Sequence, residues 1–261
     1  MRVLYFLCIS GLFAAQQSYA LRLQRVILAT DANPEYIQFW PLAAKFWREV
    51  VGVRPTLALV ADTSVTVDES LGDVIRFMPL DGIPTSLQAQ VIRLLLPVYF
   101  ENDVCIISDI DMIPLQKQFF VDAIKSVSDD CFVVYNDRAS LRWKRYPMCY
   151  NAAKGKVFKE IFGITTRDQI PAFIRAWAGR GYGWNTDELV LYDALQRWPG
   201  HAKRCKKLGN GVERRVDRSN WQYNPLLLRA RYYRDAHLPR PYQQYKEQID
   251  ELAHEYGIID I

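Results

Sequence analysis

Two aspartates separated by one residue follow the most apolar strand-like run in the sequence. The run DVCIIS occupies residues 103–108, and Asp109 and Asp111 come directly after it. Two carboxylates at the end of a strand offer the hard oxygen ligands that Mn²⁺ or Mg²⁺ prefers. A lone D-x-D occurs about once by chance in a chain of this length. The motif therefore predicts a cation site, with two aspartates that cap a turn as the alternative.

A histidine and an arginine lie in a proline-bounded loop near the C-terminus, in the stretch DAHLPRP of residues 235–241. His237 is one of three histidines in the chain, and it stands three residues before Arg240. A neutral imidazole is able to complete the coordination of a cation held by the two aspartates, and a guanidinium to face phosphates that the cation bridges. A solvated loop histidine is the alternative.

An arginine interrupts the otherwise apolar helical run VIRLLLP at residues 91–97. If the run is buried, Arg93 needs an anionic partner, because an unpaired buried charge is costly. A bound diphosphate, the first aspartate of the D-x-D motif and a purely structural carboxylate are all open as that partner.

Two acidic residues begin a predicted helix after a glycine-rich turn. Thr186 is a good N-cap, and Asp187 and Glu188 in the first turn favour a helix start without any function. The functional alternative places either carboxylate against a substrate, as a hydroxyl-binding group, a base or a nucleophile.

Apolar runs and amphipathic patterns alternate along the first half of the chain. The runs predict buried strands at residues 25–30, 56–62, 73–80, 103–108 and 131–136. Helices are predicted over 36–51, over 86–100 with Ser86 as the cap, and over 242–256. Such alternation predicts an α/β fold with mostly parallel strands, in which ligands bind at the carboxyl ends of the strands.

The composition excludes several classes of protein. The chain has 261 residues, of which 50% are hydrophobic and 24% charged, with a formal net charge of +4. This excludes disorder, collagen and coiled coil, and gives no charge-based indication of nucleic-acid binding. Residues 201–240 contain 11 Lys/Arg against three acidic residues. That excess suits an anionic ligand, peripheral contact with a membrane surface, or a solvated face.

The first twenty residues have the pattern of a secretory signal peptide. Arg2 precedes an apolar run at 3–15, and Ser18-Tyr19-Ala20 is a small-x-small cleavage site. An additional N-terminal strand or helix is the alternative. The four cysteines beyond this segment form no C-x-x-C pair, which argues against a zinc site.

Taken in order, these motifs resemble the GT-A-fold, nucleotide-sugar-dependent glycosyltransferases of the family-8 type, which include glycogenins and bacterial lipopolysaccharide galactosyltransferases. The resemblance spans residues 25–242. Six segments carry it: Ala29-Thr30-Asp31-Ala32-Asn33 as A-x-D-x-N, Arg93, Asp109-Ile110-Asp111, Tyr150-Asn151-Ala152 as F-N-A, Asp187-Glu188 as D-Q, and His237. Two features depart from the family. Glu188 replaces the usual glutamine, and the H-x-x-G-x-x-K-P-W segment is reduced to His237–Pro241, without its glycine and lysine.

The resemblance implies an α/β GT-A (Rossmann-like) fold with a mostly parallel central sheet flanked by helices. Residues 21–261 would form one domain, with a nucleotide-binding part (21–137) and an acceptor and metal-completing part (138–261), after a signal or short anchor at 1–20. It further implies transfer of a sugar from a nucleotide-diphosphate donor, a UDP-sugar, to the hydroxyl of a glycan, glycoprotein or glycolipid, with retention and with Mn²⁺ or Mg²⁺.

The resemblance also assigns roles to individual residues. The implied sets are Asp187 and Glu188 in catalysis; Ala29, Thr30, Asp31, Asn33, Arg93, Asp109, Asn151 and Arg240 at the donor; and Asp109, Asp111 and His237 at the metal.

Two other functions are compatible with the sequence. A nucleotide- or glycan-binding protein with the same fold and no turnover is one. A D-x-D phosphatase of the haloacid-dehalogenase type is the other, although its nucleophilic aspartate lies closer to the start of the fold. A signal peptide would direct a glycosyltransferase to the lumen of the endoplasmic reticulum or Golgi. Without one, the expected location is the cytoplasm.

Overall fold

The structure is a computed structural model that describes residues 20–138 and 140–258. The signal-peptide prediction therefore lies outside the described residues, apart from Ala20. Within the described part, no helix is long and apolar enough to cross a membrane.

Ten strands form two sheets in the described part of the chain. Seven belong to the central sheet, in the order β3-β2-β1-β4-β7-β6-β8, and three to a small sheet in the order β5-β10-β9. The strands are β1 (Arg25–Asp31), β2 (Arg54–Val60), β3 (Asp73–Phe77), β4 (Val104–Ile107), β5 (Met112–Pro114), β6 (Phe132–Val134), β7 (Asn151–Lys154), β8 (Cys205–Lys207), β9 (Arg215–Val216) and β10 (Asp235–His237).

The central sheet is mostly parallel. Strands β1 to β4 pair in parallel, as do β6 and β8, and only β7 runs antiparallel to its two neighbours. The five strands that the sequence predicted all form, within a few residues of the predicted bounds.

Helices cover both faces of the central sheet. They are α1 (Pro34–Ile37), α2 (Trp40–Phe46), α3 (Thr85–Leu95), α4 (Lys117–Val121), α5 (Ser140–Trp143), α6 (Gly155–Phe162), α7 (Ile170–Ala178), α8 (Thr186–Arg197), α9 (His201–Arg204), α10 (Pro225–Arg229) and α11 (Lys246–His254).

Alternate side chains of the central strands supply the two halves of the hydrophobic core. Val26 and Leu28 of β1 pack toward α2 and α11, whereas Ile27 between them packs toward α3, α6 and α8. All three side chains are fully buried. Because both faces are covered, these strands read as continuous apolar runs rather than as alternating ones, which is why the sequence revealed them.

Three helix boundaries differ from the prediction. The single helix expected over 36–51 is interrupted at residues 38–39, and a new helix, α2, begins at Trp40 with Pro41 in its first turn, where the missing N–H of proline is tolerated. Ser86 is not the cap of α3, since that helix begins at Thr85 after Pro84. Thr186 is likewise the first residue of α8 rather than its cap.

The small sheet joins distant parts of the chain beside the D-x-D motif. Strand β5 follows the motif directly and pairs antiparallel with β10, so that His237 lies opposite Met112. Strand β9 pairs with the other edge of β10 and places Arg215 beside Asp235. The backbone N–H of Leu238 also donates to the carbonyl of Asp111 at 2.8 Å.

Candidate active site

A cavity of about 560 Å³ opens at the carboxyl ends of β1 and β4, the edge at which ligands were expected. All but one of the twelve predicted site residues line it. They are Ala29, Thr30, Asp31, Asn33, Arg93, Asp109, Asp111, Asp187, Glu188, His237 and Arg240.

Asn151 is the predicted residue that does not line the cavity. It lies in β7, fully buried, and its amide nitrogen donates to the carbonyls of Pro147 at 2.8 Å and Met148 at 3.3 Å. Met148 and Cys149 do line the cavity. Asn151 thus supports the cavity wall from behind instead of facing a ligand directly.

A buried arginine connects two carboxylates on the cavity floor. Arg93 of α3 donates one guanidinium nitrogen to Asp109 and another to Asp187 of α8. Burial disfavours the charged form of all three side chains. The two carboxylates nevertheless raise the pKa of Arg93, and Arg93 lowers the pKa of Asp109. Burial outweighs Arg93 at Asp187, whose pKa is raised. With one cation between two carboxylates, the group carries a net negative charge when all three are ionised.

Glu188 follows Asp187 in α8 and lies next to this group, with 23% of its side chain exposed. Burial and the negative charge of Asp187 raise its pKa to about 7, although the Arg145 guanidinium 3.1 Å away acts in the opposite direction. Arg145 is itself positioned by Asn185, whose side-chain oxygen accepts from it at 2.6 Å. Glu188 is therefore able to exchange a proton close to neutral pH.

Asp111 lies at the centre of a mostly basic wall of the cavity, formed by Arg218, His237 and Arg240. Its side chain is 6% exposed, and its Oδ2 accepts a hydrogen bond from Arg218 at 2.9 Å. The same oxygen lies 3.5 Å from Nε2 of His237 and 3.6 Å from Nε of Arg240. In the described part of the chain, no three His, Cys, Asp or Glu side chains are grouped closely enough to hold a metal ion as they stand.

A buried ion pair supports this wall from below. Arg215 of β9 donates to both carboxylate oxygens of Asp235, at 2.9 and 2.7 Å, and the hydroxyl of Tyr150 donates to Oδ2 of Asp235 at 2.8 Å. Because Asp235 is two residues before His237 in β10, this network fixes the strand that presents the imidazole.

The end of β1 forms the opposite wall. Asp31 accepts from the backbone N–H of Asn33 at 3.1 Å and from the hydroxyl of Thr85 at 2.8 Å. Asn33 caps α1 by accepting from the N–H of Glu35. Tyr36 then lines the cavity, with its hydroxyl accepting from Arg240 and its ring 4.5 Å from that guanidinium.

The sequence did not indicate several residues of the cavity. Tyr36 was assigned only to a helix, Arg145 was not singled out, and Arg218 was one of 11 basic residues between 201 and 240. The basic excess pointed to an anionic ligand without distinguishing which of its members reach the cavity. The pairing of β9 with β10 brings the segment that follows β9, and with it Arg218, to the cavity.

No protein-family model and no curated protein sequence matches the chain. Among solved structures, the galactosyltransferase LgtC in complex with donor and acceptor sugar analogues is similar, with a TM-score of 0.52, 13% sequence identity, and coverage of 91% of this chain and 97% of LgtC. A glutamate-for-glutamine active-site mutant of LgtC matches with a TM-score of 0.51 and 13% identity, over 88% of this chain and 95% of its own.

These similarities and the sheet order confirm the predicted fold class, and they bear out the resemblance that the motifs indicated at the level of the fold. The chain has the α/β GT-A fold, with a mostly parallel central sheet flanked by helices. Its cavity lies at the carboxyl edge of that sheet.

Proposed function

We propose that this protein is a metal-dependent glycosyltransferase that transfers a sugar from a UDP-sugar to the hydroxyl of a glycan, glycoprotein or glycolipid acceptor, with retention at the anomeric carbon. One observation carries the proposal. One cavity in a GT-A fold brings together the end of β1, the D-x-D motif, the Asp187-Glu188 pair and His237. These segments are far apart in the sequence. The structurally similar LgtC is known in complex with donor and acceptor sugar analogues.

The chemistry of the donor set fits a Mn²⁺ or Mg²⁺ ion. Asp109, Asp111 and His237 all line the cavity, and the imidazole and the second carboxylate are 3.5 Å apart. Oxygen and imidazole ligands of this kind suit Mn²⁺ well. When bound, the cation would neutralise charge that develops on the leaving diphosphate.

The remaining residues of the cavity would bind the donor and stabilise the leaving group. Tyr36 and the end of β1 offer an aromatic face and a carboxylate, Asp31, for the nucleoside. Arg240, positioned by Tyr36, would face the diphosphate, where a guanidinium favours phosphate oxygens. Arg93 would act at short range on the same negative charge while it holds Asp109 and Asp187 in place.

Asp187 and Glu188 would act on the sugar. The carboxylate of Asp187 accepts hydrogen bonds from Arg93 and, at 2.8 Å, from the backbone N–H of Glu188. It would therefore offer a carboxylate of fixed position to the donor hydroxyls. Glu188, with a pKa of about 7, would either bind a hydroxyl in its protonated form or support positive charge at the anomeric carbon in its ionised form.

Calorimetric titration with UDP tests the donor site. We expect UDP to bind the purified protein in the presence of Mn²⁺, to bind at least tenfold more weakly in EDTA, and to lose this metal dependence in the Asp111→Ala variant. Asp122→Ala is the matched control, because Asp122 is exposed on the end of α4 and does not line the cavity.

A folded protein that binds no UDP or GDP under any of these conditions would contradict the proposal. Metal-dependent UDP binding without release of UDP from any UDP-sugar, with or without acceptors, would instead indicate a binding protein with this fold. Release of phosphate from phosphoesters would indicate the D-x-D phosphatase.

The place of action and a membrane contact are part of the same proposal. We propose the lumen of the endoplasmic reticulum or Golgi if residues 1–20 are a signal, and otherwise the cytoplasm. The exposed Leu226 and Leu227 lie beside basic residues of the 201–240 region, a combination that favours peripheral contact with anionic lipid. Flotation with anionic and with zwitterionic vesicles distinguishes this contact from a merely solvated surface.

A further inference from the structure

Arg218 occupies Oδ2 of Asp111, the oxygen that faces His237 and that a cation held by both side chains would bind. It donates to Oδ2 of Asp111 at 2.9 Å, closer to that oxygen than either His237 or Arg240. Within residues 20–138 and 140–258, Asp111 is the one side chain to which Arg218 is joined by a hydrogen bond or an ion pair.

The backbone around Arg218 is held by a capped turn, whereas its side chain is partly exposed. Arg218 begins a 3-10 turn directly after β9, and Asp217 caps that turn by accepting from the N–H of Ser219 at 2.9 Å. The Arg218 side chain is 34% exposed. Arg93, by contrast, is 10% exposed and is bound by two carboxylates and by the carbonyl of Gln90.

A guanidinium and a divalent cation cannot share the same oxygen at close range, because their like charges repel across a few ångströms. Cation binding at Oδ2 of Asp111 therefore requires Arg218 to leave that oxygen. Since Arg218 itself lines the cavity, a short rotation keeps its charge inside, where the cation is expected to bring an anionic diphosphate. Guanidinium groups bind phosphate oxygens in pairs, which makes the diphosphate a suitable new partner.

We propose that Arg218 exchanges partners during donor binding: it holds Asp111 in the absence of the cation and binds the diphosphate of the nucleotide once the cation has taken its place. The inference rests on the proposed function and deepens it. It adds a binding residue for the nucleoside diphosphate. The cation competes with Arg218 for Asp111, and the nucleotide then gains Arg218 as a partner.

Two equilibrium measurements on the Arg218→Gln variant test the proposal. Mn²⁺ binding without nucleotide is followed by the electron paramagnetic resonance signal of free Mn²⁺. It is expected to become three- to tenfold tighter, because Asp111 no longer has to release an arginine. UDP binding at saturating Mn²⁺, followed by calorimetry, is expected to become three- to tenfold weaker. Loss of a merely structural arginine would weaken both.

Two control variants separate this exchange from simple loss of positive charge. Arg240→Gln removes a charge from the same cavity, but its Nε is 3.6 Å from Asp111 and another of its nitrogens binds Tyr36. We expect it to tighten Mn²⁺ binding less than Arg218→Gln does. Arg229→Gln removes an arginine paired with Glu255 outside the cavity, and we expect no change in either constant.

The outcomes separate the inference from the proposed function. Opposite changes in the two constants, larger than in Arg240→Gln and with an unchanged melting temperature, support the inference. Any other pattern of change in the two binding constants of Arg218→Gln overturns the inference. The proposed function is unaffected by that result as long as the wild-type protein binds UDP with Mn²⁺. If the wild-type protein binds neither Mn²⁺ nor UDP, the proposed function fails and the inference fails with it.

Discussion

Arg93 and Asp187 form an ion pair of 2.5 Å beneath the cavity, although they are 94 residues apart in the sequence. The pair links α3 to α8, and the second carboxylate on Arg93, that of Asp109, links both helices to the end of β4. One buried guanidinium therefore sets the relative position of the D-x-D motif and of the two acidic residues proposed to act on the sugar.

Replacement of Arg93 by methionine is expected to destabilise the protein by about 3–5 kcal/mol at pH 8, since it leaves the buried carboxylate of Asp187 and the partly buried one of Asp109 without their cation. The pKa values of Asp109 and Asp187 should then rise, and protonation should remove part of the penalty. We therefore expect a smaller loss at pH 5 than at pH 8, measured as the change in the free energy of unfolding in urea.

Arg180→Met is the matched control for this experiment. Arg180 pairs with Asp193 of α8 at 3.3 Å, but both side chains are about one-third exposed, so the loss should stay below about 1 kcal/mol at either pH. A loss for Arg93→Met that is equal at pH 5 and pH 8 would contradict the electrostatic account and leave only the effect of packing.

The sequence predicted the part of the fold that is apolar enough to be recognised locally. β1, β2 and β4 are buried on both faces and consist largely of apolar residues. In contrast, β7 and β8 have the sequences NAAK and CKK, which have no strand pattern of their own. They are strands because neighbouring strands offer hydrogen bonds, and that information is not local.

The same limit applies to the cavity. Asp109, Asp111 and His237 could be predicted because their order matched a known pattern of motifs. Arg218 could not, because its position follows from the register of β9 on β10, both of which are only two or three residues long. No local pattern in the sequence encodes that pairing.

Glu188 gives the protein a pH-dependent stability of predictable sign. Burial and Asp187 raise its pKa from 4.5 to about 7 in the folded state. Between these values the folded protein binds a proton that the unfolded chain has released, so the contribution of this group to stability decreases as the pH rises from 4.5 to 7. Glu188→Gln removes the effect.

We expect the free energy of unfolding of Glu188→Gln, relative to the wild type, to increase from pH 5 to pH 7 and then to level off. The gain should reach at most about 3 kcal/mol, since one pKa unit corresponds to about 1.4 kcal/mol. Glu160→Gln is the control, because Arg204 lowers the pKa of Glu160 despite its partial burial, so the difference between this variant and the wild type should stay constant from pH 5 to pH 7. A difference between wild type and Glu188→Gln that does not vary with pH would contradict the prediction.

Trp184 is expected to contribute to acceptor binding. It lines the mouth of the cavity with 67% of its surface exposed, three residues before Asp187. An exposed indole beside a sugar site can stack on a sugar ring, a contact of about 1 kcal/mol. Trp184→Ala should therefore raise the acceptor KM about fivefold and leave the Kd for UDP unchanged.

Trp143→Ala is the matched control for Trp184, because Trp143 is 54% exposed but does not line the cavity. Its replacement should change neither constant. An equal effect of the two substitutions on KM, or an effect of Trp184→Ala on UDP binding instead, would exclude Trp184 as an acceptor contact.

Arg25 stabilises the opposite edge of the central sheet, where β1 begins. It donates to Thr56 at 2.6 Å, to Asp103 at 3.0 Å and to Asp73, and only 8% of its side chain is exposed. Because Arg25→Met leaves the partly buried Asp103 without its partner and Asp73 with Arg54 alone, we expect a loss of about 3 kcal/mol in urea denaturation. Arg54→Met is a close control, since Arg54 pairs with the same Asp73 but is 63% exposed, and its loss should stay below about 1 kcal/mol.

Both variants should bind UDP as the wild type does, because neither arginine lines the cavity. A weaker Kd for UDP in Arg25→Met at a temperature where it is fully folded would show that the two edges of the sheet are coupled, against this expectation.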